Sequence, residues 1–322
     1  MQRQMAKPSA RSPEADAGVT MESAKMHIQK MLQRAGLYHR LRTSGIHELY
    51  WRIAGKEWIL ARDRQLDFYR RLLVELRPGD LIFDIGANEG FKSDLFLRMG
   101  ARVVAVEPDE TNQSILRERF ASFRLGRKPI IIVGKAVSDR STLETMWIDG
   151  PGSAVNTLSQ KWASALNANK ARHARGHSGL DFALQKTVET TTVEQLMSAH
   201  GVPIFIKIDV EGYELNVIRA LQRPVPYLSF EVNLPEFRAE GLQCVEILGR
   251  LAEAGRFNYA VDCEQGFGLE RWLDADEFLR VLGECSEKAI EVFWKGTASV
   301  AKRTQIDALS IHATRPTKPA LQ

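Results

Sequence analysis

Four acidic residues sit in or just after short apolar runs: Asp84 in Leu81-Ile82-Phe83-Asp84-Ile85, Glu107 after Val103-Val104-Ala105-Val106, Asp209 after Ile204-Phe205-Ile206-Lys207-Ile208, and Glu231 after Tyr227-Leu228-Ser229-Phe230. Carboxylates can take a proton, accept hydrogen bonds from hydroxyls, balance a cation or bind a hard metal ion. Around Asp209 the chain reads Lys207, Asp209, Glu211 at alternate positions, so the three project to one side if the strand continues that far. Burying three charges is costly, and pairing Lys207 with one of the acids lowers that cost.

The stretch Asp84-Ile85-Gly86-Ala87-Asn88-Glu89-Gly90 leaves an apolar run through a glycine-punctuated turn and enters a segment with Phe91, Leu95, Phe96 and Met99 at helical spacing. A pyrophosphate loop offers backbone N–H groups and avoids carboxylates, whereas Asp84 and Glu89 flank this turn. A ligand with a cationic part and one small carboxylate suits it better: the helix N-terminus takes the carboxylate and Asp84 faces the cation. S-adenosylmethionine has those features, with Gly86, Asn88 and Gly90 shaping the turn. Glu107 follows the glycine turn by about twenty residues, the separation at which an acid at the end of the second strand accepts hydrogen bonds from ribose hydroxyls. In that layout Ala136 and Val137 lie near an adenine ring.

Positioning these groups requires alternating strands and helices. Strands are expected near 81–85, 101–106, 130–133, 142–148, 204–208, 227–231, 259–262 and 290–294, with helices near 111–120, 193–200, from 213, 244–254 and 275–282. Residues 1–20 are rich in Ala, Arg, Ser and Pro and are expected to be disordered. Residues 21–77 read as an N-terminal helical cap, 78–296 as the main α/β domain, and 297–322 as a loose tail. Between 149 and 187 the alternation lapses into an insertion with the basic run Lys170-Ala171-Arg172-His173-Ala174-Arg175-Gly176-His177, the best sequence candidate for acceptor specificity. Its residues Asn156, Thr157, Trp162, His173 and His177, with Glu231 and Asn233, form the expected acceptor side.

The composition fits a globular chain: 322 residues, 44% hydrophobic, with a net charge of +4 too mild to demand nucleic acid. The three cysteines, Cys244, Cys263 and Cys285, have no metal-ligand spacing and read as reduced thiols. No apolar run reaches the roughly 20 residues needed to span a bilayer, and a cytoplasmic location is the expectation.

The strings Asp84-Ile85-Gly86-Ala87-Asn88-Glu89-Gly90, Val106-Glu107-Pro108, Asn156-Thr157-Leu158-Ser159 with Trp162, and Lys207-Ile208-Asp209-Val210-Glu211-Gly212-Tyr213-Glu214 together resemble the FkbM-type S-adenosylmethionine-dependent methyltransferases. The resemblance implies a class I methyltransferase sheet, Rossmann-like, of seven strands with the last antiparallel, and methylation of a hydroxyl on a sugar, glycolipid or natural product. Glu89 departs from it, standing where an apolar residue is usual. In-line transfer needs a base near the acceptor oxygen: Asp209 first and Glu211 second, with Lys207 orienting either or stabilising an alkoxide. No metal is expected, although Asp209, Glu231 and Asn233 form an oxygen set that would suit Mg²⁺; such residues more often serve hydrogen bonding alone.

Other classes fit less well. The turn lacks the G-x-G-x-x-G of nicotinamide dehydrogenases, and no Asn/Asp-Pro-Pro-aromatic string of a base-flipping methylase follows the fourth strand. A non-catalytic protein of the same fold that binds S-adenosylmethionine remains an alternative.

Overall fold

The computed structural model describes residues 57–121, 130–168, 182–234 and 236–296. The chain divides into two units, Met1–Lys56 and Glu57–Gln322, and the described residues belong to the second. The expected disordered segment, most of the helical cap, the His-containing part of the insertion and the tail lie outside them.

Seven strands form the central sheet: β1 (Leu81–Ile85), β2 (Arg102–Val106), β3 (Ile130–Val133), β7 (Phe205–Ile208), β8 (Tyr227–Asn233), β9 (Arg256–Ala260) and β10 (Ala289–Lys295). Their order is β3-β2-β1-β7-β8-β10-β9, and β10 runs antiparallel to both its neighbours. The order reverses between β1 and β7, which makes their carboxyl ends the switch point where open α/β sheets bind ligands. The sheet implied by the resemblance is therefore present, with the last strand among the described residues as the antiparallel one.

Alternation along the strands builds two apolar layers. Phe83, Ile85, Ile206, Ile208 and Phe230 face one, with Val245 and Leu248 of helix α7 (Arg238–Leu251). Ile82, Val103, Phe205 and Phe293 face the other, covered by α1 (Glu57–Leu72) and α2 (Phe91–Arg98). Here Tyr69 and Phe96 pack edge-on at 5.2 Å, and Phe96 meets Phe205 at 5.6 Å, the arrangement aromatic quadrupoles favour. Phe68 and Tyr69 of α1 are thus core.

Helix α3 (Glu110–Arg119) starts on the cap Asp109, whose carboxylate accepts from the Thr111 and Asn112 amides. The stretch that looked irregular from its sequence contains helix α4 (Gln160–Ala168), and strand β6 begins at its end (Leu184–Thr191). With β4 (Ala136–Val137) and β5 (Leu143–Ile148), β6 forms a second sheet in the order β4-β6-β5. The first half of β6 is exposed, so the apolar period that marks a core strand is missing from it. Helix α5 (Val193–His200) opens with a capping box from Thr192 and Gln195, and α6 (Glu214–Arg219) and α8 (Ala275–Glu284) complete the helices used below. Two boundaries differ from the sequence expectation: α7 begins at Arg238 instead of Cys244, and β9 at Arg256, because buried Phe257 pairs in register with Trp294. Among the described residues no helix is long and apolar enough to cross a membrane.

Candidate active site

Lys207 is the anomaly in an otherwise apolar strand, and it organises the centre of the sheet. It is 3% exposed and lies between Asp84 of β1 and Ser229 of β8 in register. Burial alone would discharge it, but the carboxylates of Asp209, Asp84 and Glu291 hold it charged and push its pKa up. Its Nζ donates to Asp209 Oδ2 at 2.6 Å. Burial likewise opposes ionisation of Asp209, yet the charge and hydrogen bond of Lys207 outweigh it and hold this carboxyl below its usual range.

The strand ends at Ile208, so alternation does not carry Asp209 and Glu211 to one side. A turn does so instead. Glu211 adopts φ 55°, a left-handed conformation that costs a non-glycine residue energy and is retained where the surroundings enforce it. Thr157 Oγ1 donates to the Glu211 carbonyl at 2.7 Å, and Trp162 Nε1 donates to its carboxylate at 2.9 Å. From below, Glu214 Oε1 accepts from the Val210 and Gly212 amides. Burial, with Asp209 and Glu214 nearby, raises the Glu211 pKa to about 8. Carboxylate oxygens of Asp209, Glu211 and Glu231 lie within 4.8 Å of one another. Asp209 and Glu231 of the oxygen set read from the sequence thus stand together, with Glu211 beside them.

A cleft of about 780 Å³ opens beside this cluster. Gly86, Asn88, Glu107, Ala136, Val137, Asp209 and Glu211 line it, along with Asn156 and Thr157. Gly86 has φ 79°, and a Cβ there would stand 1.7 Å from the Asp209 carbonyl oxygen, so only glycine lets the two loops touch. Glu107 accepts from the Asn88 amide through Oε2 and from the Asp109 amide through Oε1, each at 2.8 Å, and burial raises its pKa to about 7.

Several sequence expectations are corrected here. Asp84 does not line the cleft; it is buried beneath it, with Oδ2 accepting from Ser93 Oγ at 2.6 Å and Oδ1 unpartnered. Gly90 also lies off the cleft, where a Cβ would strike Leu116 and Phe120, so its role is packing. The amides of Gly86, Ala87, Asn88 and Gly90 are all used within the fold, by Val106, Val106, Glu107 and Ala87, leaving none of these four to hold a ligand carboxylate. Glu89 is exposed and outside the cleft lining, and its backbone carbonyl accepts from Arg119. Asn156 and Thr157 line the cleft but spend their side chains on internal bonds, Asn156 to Asp109, Asp149 and Gly150 and Thr157 to Glu211 and Ser159. Trp162 is buried and off the cleft; His173 and His177 fall outside the described residues. Lys207, Glu231 and Asn233 do not line the cleft.

Sequence reasoning missed Asn112 and Tyr213. Asn112 lines the cleft, is 2% exposed, and its Oδ1 has no partner; Asn88 Oδ1 is unpartnered there too. An Asn on the buried face of α3, five residues past Glu107, was the available signal. Tyr213 donates to Glu144 Oε2 at 2.6 Å and so ties the cleft to β5.

Glu107 makes stability pH-dependent. Its pKa is raised from 4.5 to about 7, so its favourable contribution is complete below the unfolded value and is lost as pH rises through the folded one. That loss is on the order of 3 kcal/mol. Denaturant midpoints between pH 5 and pH 8 should fall for the unliganded protein. In Glu107→Gln the fall should be shallower, set against a constant penalty for the amide it no longer satisfies.

A model of the methyltransferase FkbM domain matches residues 84–259, more than half of the chain. No curated protein matches the sequence. Among solved structures, the chain is similar to a precorrin-6y C5,15-methyltransferase from Geobacter metallireducens GS-15, at 11% identity and TM-score 0.37, covering 74% of this chain and 86% of that one. It is also similar to an rRNA methylase from Streptococcus thermophilus, at 9% identity and TM-score 0.33, covering 75% and 96%. The matched segment runs from the first acidic residue of the switch point to β9 and contains both the cleft and the Lys207–Asp209 pair, and the chain belongs to the FkbM methyltransferase family.

Proposed function

We propose that the chain is an O-methyltransferase that moves a methyl group from S-adenosylmethionine to a hydroxyl of a sugar, glycolipid or natural-product acceptor, with Asp209 as the base. The observation that carries this reading is the meeting, beside the cleft, of a carboxylate held ionised by Lys207 with two neighbouring carboxyl groups. S-adenosylmethionine supplies, when bound, a methyl group on a positively charged sulfur.

The residues of the cleft fit that donor. It offers acceptors for a ligand rich in donors: the Glu107 carboxylate suits ribose hydroxyls, and Asn88 Oδ1 and Asn112 Oδ1 are buried acceptors with nothing to accept from within the protein. Asn112, with Ala136 and Val137, suits the amino edge and face of a purine. The Asp209 carboxylate balances a cation.

Asp209 need not be a strong base. The proton of an attacking hydroxyl becomes acidic as the new carbon–oxygen bond forms, so a carboxylate that is ionised at the outset can take it. Lys207 keeps Asp209 in that state and fixes one of its oxygens, leaving a side chain that is 38% exposed to meet the acceptor. Lys207 also supplies the positive charge that a divalent ion would otherwise bring.

Asp209→Asn should lower turnover by about a hundredfold or more, the scale of lost general-base catalysis, with affinity for S-adenosylhomocysteine within a few-fold of the parent. Unchanged turnover removes Asp209 from the chemistry. The parent rate should persist in excess chelator; a loss restored by Mg²⁺ would instead seat a cation among Asp209, Glu211 and Glu231. Calorimetry tests the purine edge: the parent should prefer S-adenosylhomocysteine to S-inosylhomocysteine by about tenfold, one hydrogen bond's worth, and the near-isosteric Asn112→Leu should lose that preference.

A further inference from the structure

We infer that the acceptor enters through a second cleft, on the α1 and α2 side of the sheet, and that this cleft selects hydroxyl-rich acceptors without phosphate or carboxylate groups. The inference rests on the methyltransferase reading above and adds to it where the acceptor binds and what it is.

The second cleft encloses about 530 Å³ and is walled by Gln65 of α1, Lys92 of α2, Glu231 of β8, the segment from Ala260 to Cys263 after β9, and the start of β10 at Ala289 to Glu291. Because β10 is antiparallel, its first residues lie at the carboxyl ends of the other strands, so this cleft opens at the same edge of the sheet as the donor cleft. The two clefts share the carboxylate cluster between them. Asp209 and Glu211 line the donor cleft, whereas Glu231, within 4.8 Å of both, lines the second. An acceptor seated here brings its hydroxyl to the shared cluster, where its oxygen attacks the donor's methyl carbon as the carbon–sulfur bond breaks and its proton passes to Asp209.

The side that sequence reasoning gave to the acceptor is committed elsewhere. Asn156, Thr157 and Trp162 spend their polar atoms holding Asp109, Glu211 and their own loop. The second cleft keeps polar groups at its surface. Glu231, Asp262 and Glu291 bring carboxyl groups, Gln65 an amide and Lys92 the one ammonium among the lining residues described. Lys92 is already turned to Gln65 Oε1 at 2.9 Å and stands over the Tyr69 ring at 5.1 Å. Glu291 is fixed by Ser229 Oγ at 2.7 Å and Cys263 Sγ at 3.3 Å. Burial and the neighbouring Asp209 keep the Glu231 carboxyl protonated, so the acceptor-only groups of the cleft are the carboxylates of Asp262 and Glu291. A ligand must bring donors to them, and hydroxyls on adjacent carbons can meet both oxygens of one carboxylate. The one ammonium of the lining is turned to Gln65, so two carboxylates face an anionic acceptor.

The test uses the full chain, tritiated-methyl S-adenosylmethionine, a pool of neutral methyl glycopyranosides and a matching pool of their 6-phosphates. Label should enter the neutral pool at least tenfold faster than the phosphate pool. Val261 is 53% exposed on the cleft wall, so Val261→Trp can fill the cleft from outside the core. This variant, and Gln65→Trp from the opposite wall, should cut transfer to the neutral pool at least tenfold with S-adenosylhomocysteine affinity within twofold of the parent. Equal or faster labelling of the phosphates, no labelling of the neutral pool, or transfer indifferent to both tryptophans overturns the inference. Failure of the parent to bind S-adenosylhomocysteine would instead sink the donor reading, which separates the two.

Discussion

The structure depends on keeping one ammonium charged inside the sheet. Lys207 sits in the central strand, flanked in register by Asp84 and Ser229, where an unpaired charge would cost several kcal/mol. Its neighbours answer that cost across four strands. Asp84 on β1, Asp209 past β7, Ser229 on β8 and Glu291 on β10 form a polar row through an aromatic and aliphatic layer, fastened at one end by Ser93 and at the other by Tyr69 and Cys263. The row makes the fold and the chemistry inseparable, because the charge that would otherwise destabilise the sheet holds Asp209 ionised at its edge.

The second sheet and α4 act on the same loop from the other direction. Glu211 is held in its left-handed conformation by Thr157 and Trp162, which belong to the stretch that looked like an insertion, and Tyr213 is tied to Glu144 on β5. An isolated loop would relax from such a conformation. The accessory elements therefore serve as a brace for the turn, which explains why their polar residues point inward.

The sheet was legible because buried parallel strands read as short apolar runs, and the acids at their ends marked the switch point. Glu107, Gly86 and the Lys207–Asp209 pair followed from that logic. Asp84 was misplaced because position along a strand does not reveal depth: it faces the α1 and α2 layer, as its parity with Ile82 requires. Helix α4 and strand β6 were missed because a helix of nine residues and a half-exposed strand carry too little apolar period to stand out. The second cleft could not be read at all, since its walls come from α1, α2, β8, β9 and β10, which are far apart in the chain.

The contact between Gly86 and the Asp209 carbonyl has a mechanical meaning. With no side chain between them, the loop after β1 and the loop after β7 move as one body, so the floor under the donor and the carboxylate at its far end keep a fixed separation. A change of acceptor can then be accommodated only by the walls that do not share this contact, those of α1, β9 and β10. Within such a scaffold, substrate range can diverge while the transfer distance stays constant.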